Sequence, residues 1–222
     1  MKTLKIILLL TAIVSLTSCA SSYKTIHPND IAYVSAETTG DVKLEYKYEL
    51  LHKKYEKKET KKGVKLVAVK ITNNSGHDLT FGRDLTLEYA NGNEIHIMDN
   101  DNVFKTLKQH PATHLFYLLL TPLNLYTTKT NEYGFEEQTS SFPIGLIVGP
   151  GLAAGNLITA STANKKFRTE LEEFNIHGST IKSGETKAGL IGIRSESFEA
   201  LKLKLKPELQ VQPEKKEPVT KS

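Results

Sequence analysis

Apolar residues fall at every second position in several stretches of this chain, and that spacing restricts those stretches to half-buried β-strands. In DVKLEYKYEL, Val42, Leu44, Tyr46, Tyr48 and Leu50 alternate with charged or polar neighbours. One face of such a strand meets a core and the other meets water. Leu85, Leu87 and Tyr89 repeat the pattern, as do Ile95 and Ile97, and Asn91-Gly92 between the two runs signals a hairpin. VKLVAVKIT is more continuously apolar and reads as a buried strand that ends in the turn-formers NNSGHD. ETKAGLIGIR and ALKLKLK add two more, the second with Leu201, Leu203 and Leu205 inward and Lys202, Lys204 and Lys206 outward. KKYEKKETKKG (53–63), with six lysines and two glutamates, reads as a charged turn. Its lysines serve either as a solvated hairpin tip that resists edge pairing or as a basic finger for anionic headgroups.

About six or seven short strands separated by turns predict an α+β fold, an antiparallel immunoglobulin-like β-sandwich with an apolar helical insert. The sandwich is expected over 41–206 and the insert over about 103–175. Two runs define the insert. Gln109–Thr128 (20 residues) and Gln138–Asn164 (27 residues) contain no Asp, Glu, Lys or Arg, and the charged linker KTNEYGFEE lies between them. Each run is long enough for a bilayer-entering helix, and Gly145-x-x-x-Gly149 and Gly151-x-x-x-Gly155 allow close packing. Against this, Pro122, Pro143 and Pro150 interrupt helices, and the glycines weaken them. The balance favours two short apolar segments folded onto an end or face of the sandwich and buried there. The other reading is an exposed apolar surface at Leu118, Leu119, Leu146, Ile147 and Leu152, covered by a protein partner or a membrane. Beyond it, ASTANKKFRTELEEFNI has the spacing of an amphipathic helix, with Leu157 just ahead of it and Ala160, Asn164, Phe167, Leu171 and Phe174 on or near one face.

The chain opens MKTLKIILLLTAIVSLTSCA. Lys2 and Lys5 precede an apolar run, Ile6 to Val14, and small residues follow, which is the order of a secretory signal. Leu16, Thr17, Ser18 and Cys19 resemble the lipobox of bacterial lipoproteins. The resemblance implies diacylglycerol on the Cys19 thiol, removal of residues 1–18 and acylation of the new amino group. It also implies a membrane partner through that lipid. Ala20, Ser21 and Ser22 follow the cysteine without an aspartate or an acidic run, which implies the outer membrane, facing the periplasm. A Gram-positive envelope and a plain secretory signal cut near Ala20 remain open. Cys19 is the single cysteine, so no internal disulfide forms and the fold must stand on its core. Residues 19–40 read as a lipidated tether, and PELQVQPEKKEPVTKS (207–222) as a disordered tail.

Net charge is +4, and removing Lys2 and Lys5 leaves about +2, too balanced to point to nucleic acid. GPGLAAG resembles a dinucleotide fingerprint, but its last glycine is one residue late and Pro150 sits inside it. His110 and His114, four apart, could join His96 in a three-histidine site; Pro111 between them argues against it. DNDN (99–102) has oxygen ligands without the rest of a calcium loop. No G-x-S-x-G occurs. No cofactor is expected. The expectation is a lipid-anchored, non-enzymatic binding or assembly module. The alternatives are a metal-dependent envelope hydrolase and a purely structural lipoprotein.

Overall fold

A computed structural model describes residues 19–206; the signal segment and the tail lie outside the described residues. The fold is α+β with antiparallel sheets. In chain order the elements are a 3-10 helix η1 (Pro28–Asp30), β1 (Ser35–Thr39), β2 (Val42–Lys47), α1 (Lys54–Lys62), β3 (Val64–Asn73), β4 (Leu79–Thr80) and β5 (Leu85–Tyr89). They continue with β6 (Ile97–Met98), α2 (Asn100–Leu107), a second 3-10 helix η2 (Pro111–Leu120), β7 (Leu125–Thr130), β8 (Glu136–Phe142) and α3 (Gly145–Glu173). The last three are β9 (Thr180–Ile181), β10 (Thr186–Arg194) and β11 (Leu201–Leu205). The described residues form two compact units, 24–107 with 168–206 and 19–23 with 108–167.

The first unit carries a five-stranded sheet in the order β1-β2-β3-β10-β6, with β5 paired to β11 and β4 to β9. Register follows the alternation. Leu44 lies opposite Ile71, Tyr46 opposite Val69, and Ile191 opposite Val67. In the other pair Leu85 meets Leu205, Leu87 meets Leu203 and Tyr89 meets Leu201. A slip of one residue would turn each of these side chains outward. One core cluster gathers Val42, Leu44, Val67, Val69, Ile71, Ile191 and Ile193 from the large sheet and Leu85, Leu87, Leu201, Leu203 and Leu205 from the β5–β11 pair. Each fully buried side chain of this kind contributes about 1.5–3 kcal/mol. Leu66 and Ala68, on the other face of β3, are also fully buried. Helices α1 and α2 pack against β3, and α2 against β10 as well, which explains why this strand reads as a continuous apolar run.

Three expectations are corrected here. Residues 53–63 are helix α1, not a turn. Lys and Glu are good helix formers, and Tyr55 and Glu59, four apart, are both buried on one face. Gly63 ends the helix at φ +58°, the left-handed conformation of a C-terminal cap. Second, residues 19–40 are not a free tether. They include η1 and β1, Tyr23 and Ile26 are buried, and the Ile26 N–H donates to Glu170 Oε2 at 3.0 Å. Third, the insert is narrower than 103–175: 103–107 and 168–175 belong to the first unit. The Asn91-Gly92 turn does form, with Gly92 at φ +85°, but Ile97–Met98 leaves β5 and pairs with β10.

Candidate functional site

The second unit holds the surface anticipated at Leu118, Leu119, Leu146, Ile147 and Leu152. Pro111 starts η2, where its missing N–H costs nothing. The chain then forms β7 and β8 and returns as α3. Gly145 and Gly149 face η2. A Cβ on Gly145 would overlap the Leu120 and Thr121 carbonyl oxygens, and one on Gly149 would lie 3.0 Å from Thr121 Oγ1 and 3.1 Å from the Tyr117 carbonyl oxygen. The first small-residue pair therefore joins these two arms within the chain. Gly151 and Gly155 have nothing within 4 Å of a Cβ position. Pro150 lies inside α3 without ending it; its lost bond is the one to the Leu146 carbonyl, four residues back.

The inward side of α3 within this unit is Ala153, Ala160, Ala163 and Phe167, all buried. Two amides lock it to the chain entering η2. The Gln109 N–H donates to Asn164 Oδ1 at 2.8 Å, and Asn164 Nδ2 donates to the Gln109 carbonyl at 2.9 Å. Buried amides satisfied in this reciprocal way specify one arrangement.

The segment 19–23 is held by the same network. The Ser21 N–H donates to Gln109 Oε1 at 3.1 Å, and Gln109 Nε2 donates to the Ser21 carbonyl at 2.6 Å. The Ala20 N–H donates to Asn156 Oδ1. Tyr23 packs on Phe167 with ring centres 5.3 Å apart. The Cys19 thiol is exposed and lies close enough to the Tyr117 hydroxyl to act on it electrostatically. Burial, followed by this thiol, raises the Tyr117 hydroxyl above the usual tyrosine range.

Exposure of the outward side overturns the expectation of burial. Phe116 is 72% exposed, Leu119 75%, Ile147 64% and Leu146 58%. Leu118 is also exposed and Leu152 is half-buried. By length and composition α3 could cross a membrane, yet only 22% of its most apolar stretch is buried inside the protein, whereas a soluble core helix would be mostly buried. Every residue of β7 and β8 is exposed. The linker KTNEYGFEE forms the tip of this hairpin. Asn131 Oδ1 accepts the Tyr133 and Phe135 N–H groups at 3.1 and 2.9 Å, and Gly134 takes φ +80°. Asn131 and Gly134 were the available turn signals, masked by the charges around them.

Other sequence candidates have local roles. His114 is buried and stacks on Tyr117 with ring planes 3° apart. His96 belongs to the first unit, and among the described residues no group of three His, Cys, Asp or Glu is placed to hold a metal ion. Gly149 and Gly151 lie within α3, away from any strand-to-helix turn. Asp99 accepts the Asn102 N–H at 3.0 Å and so caps the start of α2. A cleft of about 540 Å³ in the first unit, lined by Val34, Tyr46, Tyr48 and Phe198, went unread in the sequence. Beside it, Lys65 Nζ sits 4.1 Å above the Phe198 ring. No protein-family model, curated protein or solved structure matches the chain.

Proposed function

We propose that this chain is a lipid-anchored lipoprotein of the cell envelope, attached to the outer membrane and facing the periplasm. It acts as a non-enzymatic binding or assembly module. In this reading residues 1–18 are removed as a signal and Cys19 carries the lipid. The first unit is an immunoglobulin-like β-sandwich presented at the membrane. A shared core drawn from the five-stranded sheet and the β5–β11 pair supports the sandwich. The observation that carries the functional reading is the fixed link between Cys19 and an exposed apolar surface. Ala20 and Ser21 are hydrogen-bonded into the unit that displays Phe116, Leu119, Leu146 and Ile147. A flexible tether would leave the anchor and that surface independent.

The test is metabolic labelling with a palmitate analogue in a bacterial host. The native chain should take up label and remain with the membranes, and Cys19→Ser should take up none. Equal labelling of the Cys19→Ser variant would overturn the reading. For the surface, Leu118→Asp and Leu146→Asp should leave the unfolding midpoint of the detergent-purified protein within a degree or two, because substitutions facing solvent change stability by about 0.5 kcal/mol or less. Unfolding of either variant would instead make these residues core.

A further inference from the structure

We infer that the two apolar arms of the insert, 111–125 and 143–158, form a foot lying in the headgroup–acyl boundary of the leaflet that holds residue 19. This deepens the lipoprotein reading and rests on it for the lipid at Cys19. The occupant follows from three observations. The outward side chains of both arms are large and apolar, Phe116 and Leu119 on one and Leu146 and Ile147 on the other. No Asp, Glu, Lys or Arg occurs in either arm, whereas an ordinary protein interface has a polar rim. Second, the chain enters this unit at the anchor. Ala20, the residue next to Cys19, is held by Asn156 on the second arm, so acyl chains on the sulfur start beside the foot itself. Third, on the lipoprotein reading the apolar run of the signal, Ile6–Val14, ends shortly before Cys19, so residue 19 starts out near a membrane surface.

The β7–β8 hairpin sets the orientation. Its open strand edges need water, which the hydrocarbon interior cannot supply. Lys129, Glu136 and Glu137 add charge to it. The arms therefore lie along the leaflet and do not stand through it, and the hairpin rests among the headgroups. Gly145 to Ile158 gives about 20 Å of helix at 1.5 Å per residue. Its apolar side sinks about 5–10 Å, the depth typical of interfacial helices.

The chain has no tryptophan, so one introduced tryptophan is a unique reporter. The full chain bearing Leu119→Trp or Ile147→Trp, one on each arm, is purified from membranes and reconstituted. The vesicles contain phosphatidylethanolamine and phosphatidylglycerol, with or without brominated phosphatidylcholine. Bromine should remove about half or more of the emission at both positions, as burial at the acyl boundary requires. Equal emission with and without bromine at Leu119→Trp and Ile147→Trp would overturn the inference and give the surface to a protein partner. Intact mass of the same samples reads the lipid separately. Unmodified Cys19 with quenched tryptophan overturns the lipoprotein reading and leaves the foot standing; lipidated Cys19 with unquenched tryptophan does the reverse.

Discussion

Glu59 lies on the inward face of α1 and accepts the Leu66 N–H at 2.7 Å. Burial raises its carboxyl above the usual range, partly offset by that hydrogen bond and by Lys65. A raised carboxylate pKa means that the folded state favours the protonated form. The stabilisation is therefore present below the unfolded pKa and is lost as pH rises through the folded value. Glu59→Gln keeps an acceptor for Leu66 without the buried charge, and should unfold later than the native chain at pH 7 but not at pH 4. Glu59→Leu leaves the Leu66 N–H without an acceptor and should cost about 1–3 kcal/mol in urea unfolding. Equal stability of the two variants would show that the hydrogen bond contributes nothing. Asp84 has the opposite sign. The Arg83 guanidinium, then the Thr80 N–H, holds its carboxyl down to about 2. An unperturbed aspartate sits near 3.9. Its stabilisation is present above about pH 4 and is lost as pH falls toward 2. Asp84→Asn should flatten the acid side of the stability profile; an unchanged profile would refute the pairing.

At the scale of elements, the close approach of α2 to β10 depends on Gly192. A Cβ there would overlap Val103 Cγ2. Gly192→Ala should therefore destabilise by about 1–3 kcal/mol, the usual cost of overpacking, and Val103→Ala should restore part of that loss in the double variant. Loss without restoration would place the strain elsewhere. At the neighbouring Gly189, a Cβ would sit 2.6 Å from the Phe174 carbonyl oxygen and 2.7 Å from Ile176 Cβ. The strands that alternate were legible, because the spacing at Leu85–Tyr89, Leu201–Leu205 and Val42–Lys47 records one buried face directly, whereas β7 and β8, exposed throughout, were read as part of a helical insert. α1 was not, because a charged helix anchored by Tyr55 and Glu59 leaves almost no apolar period to read. β1 was hidden for a similar reason: its half-buried side chains are Ser35, Glu37 and Thr39. Pro150 misled in the other direction, since a proline near the exposed start of a helix costs one hydrogen bond and not the helix.

At the scale of the whole molecule, charge-free runs at 109–128 and 138–164 located the insert, but they could not say which way its side chains face. That depends on whether a partner for Leu119 or Ile147 exists within the chain, a long-range matter. Leu118, Leu119, Leu146, Ile147 and Leu152 lie in one unit, the first four exposed and Leu152 half-buried. The hydrogen bonds that join it to residues 20 and 21 had no sequence signal beyond ordinary Asn and Gln. Those bonds make the state of Cys19 decisive, since a lipid there would be attached to a fixed apolar surface and not to a free end. The direct measurement is the intact mass of the protein extracted from membranes. The expected product is a chain that begins at Cys19 and carries the mass of diacylglycerol and an amide-linked acyl chain. A chain with a free, alkylatable Cys19 thiol would contradict it.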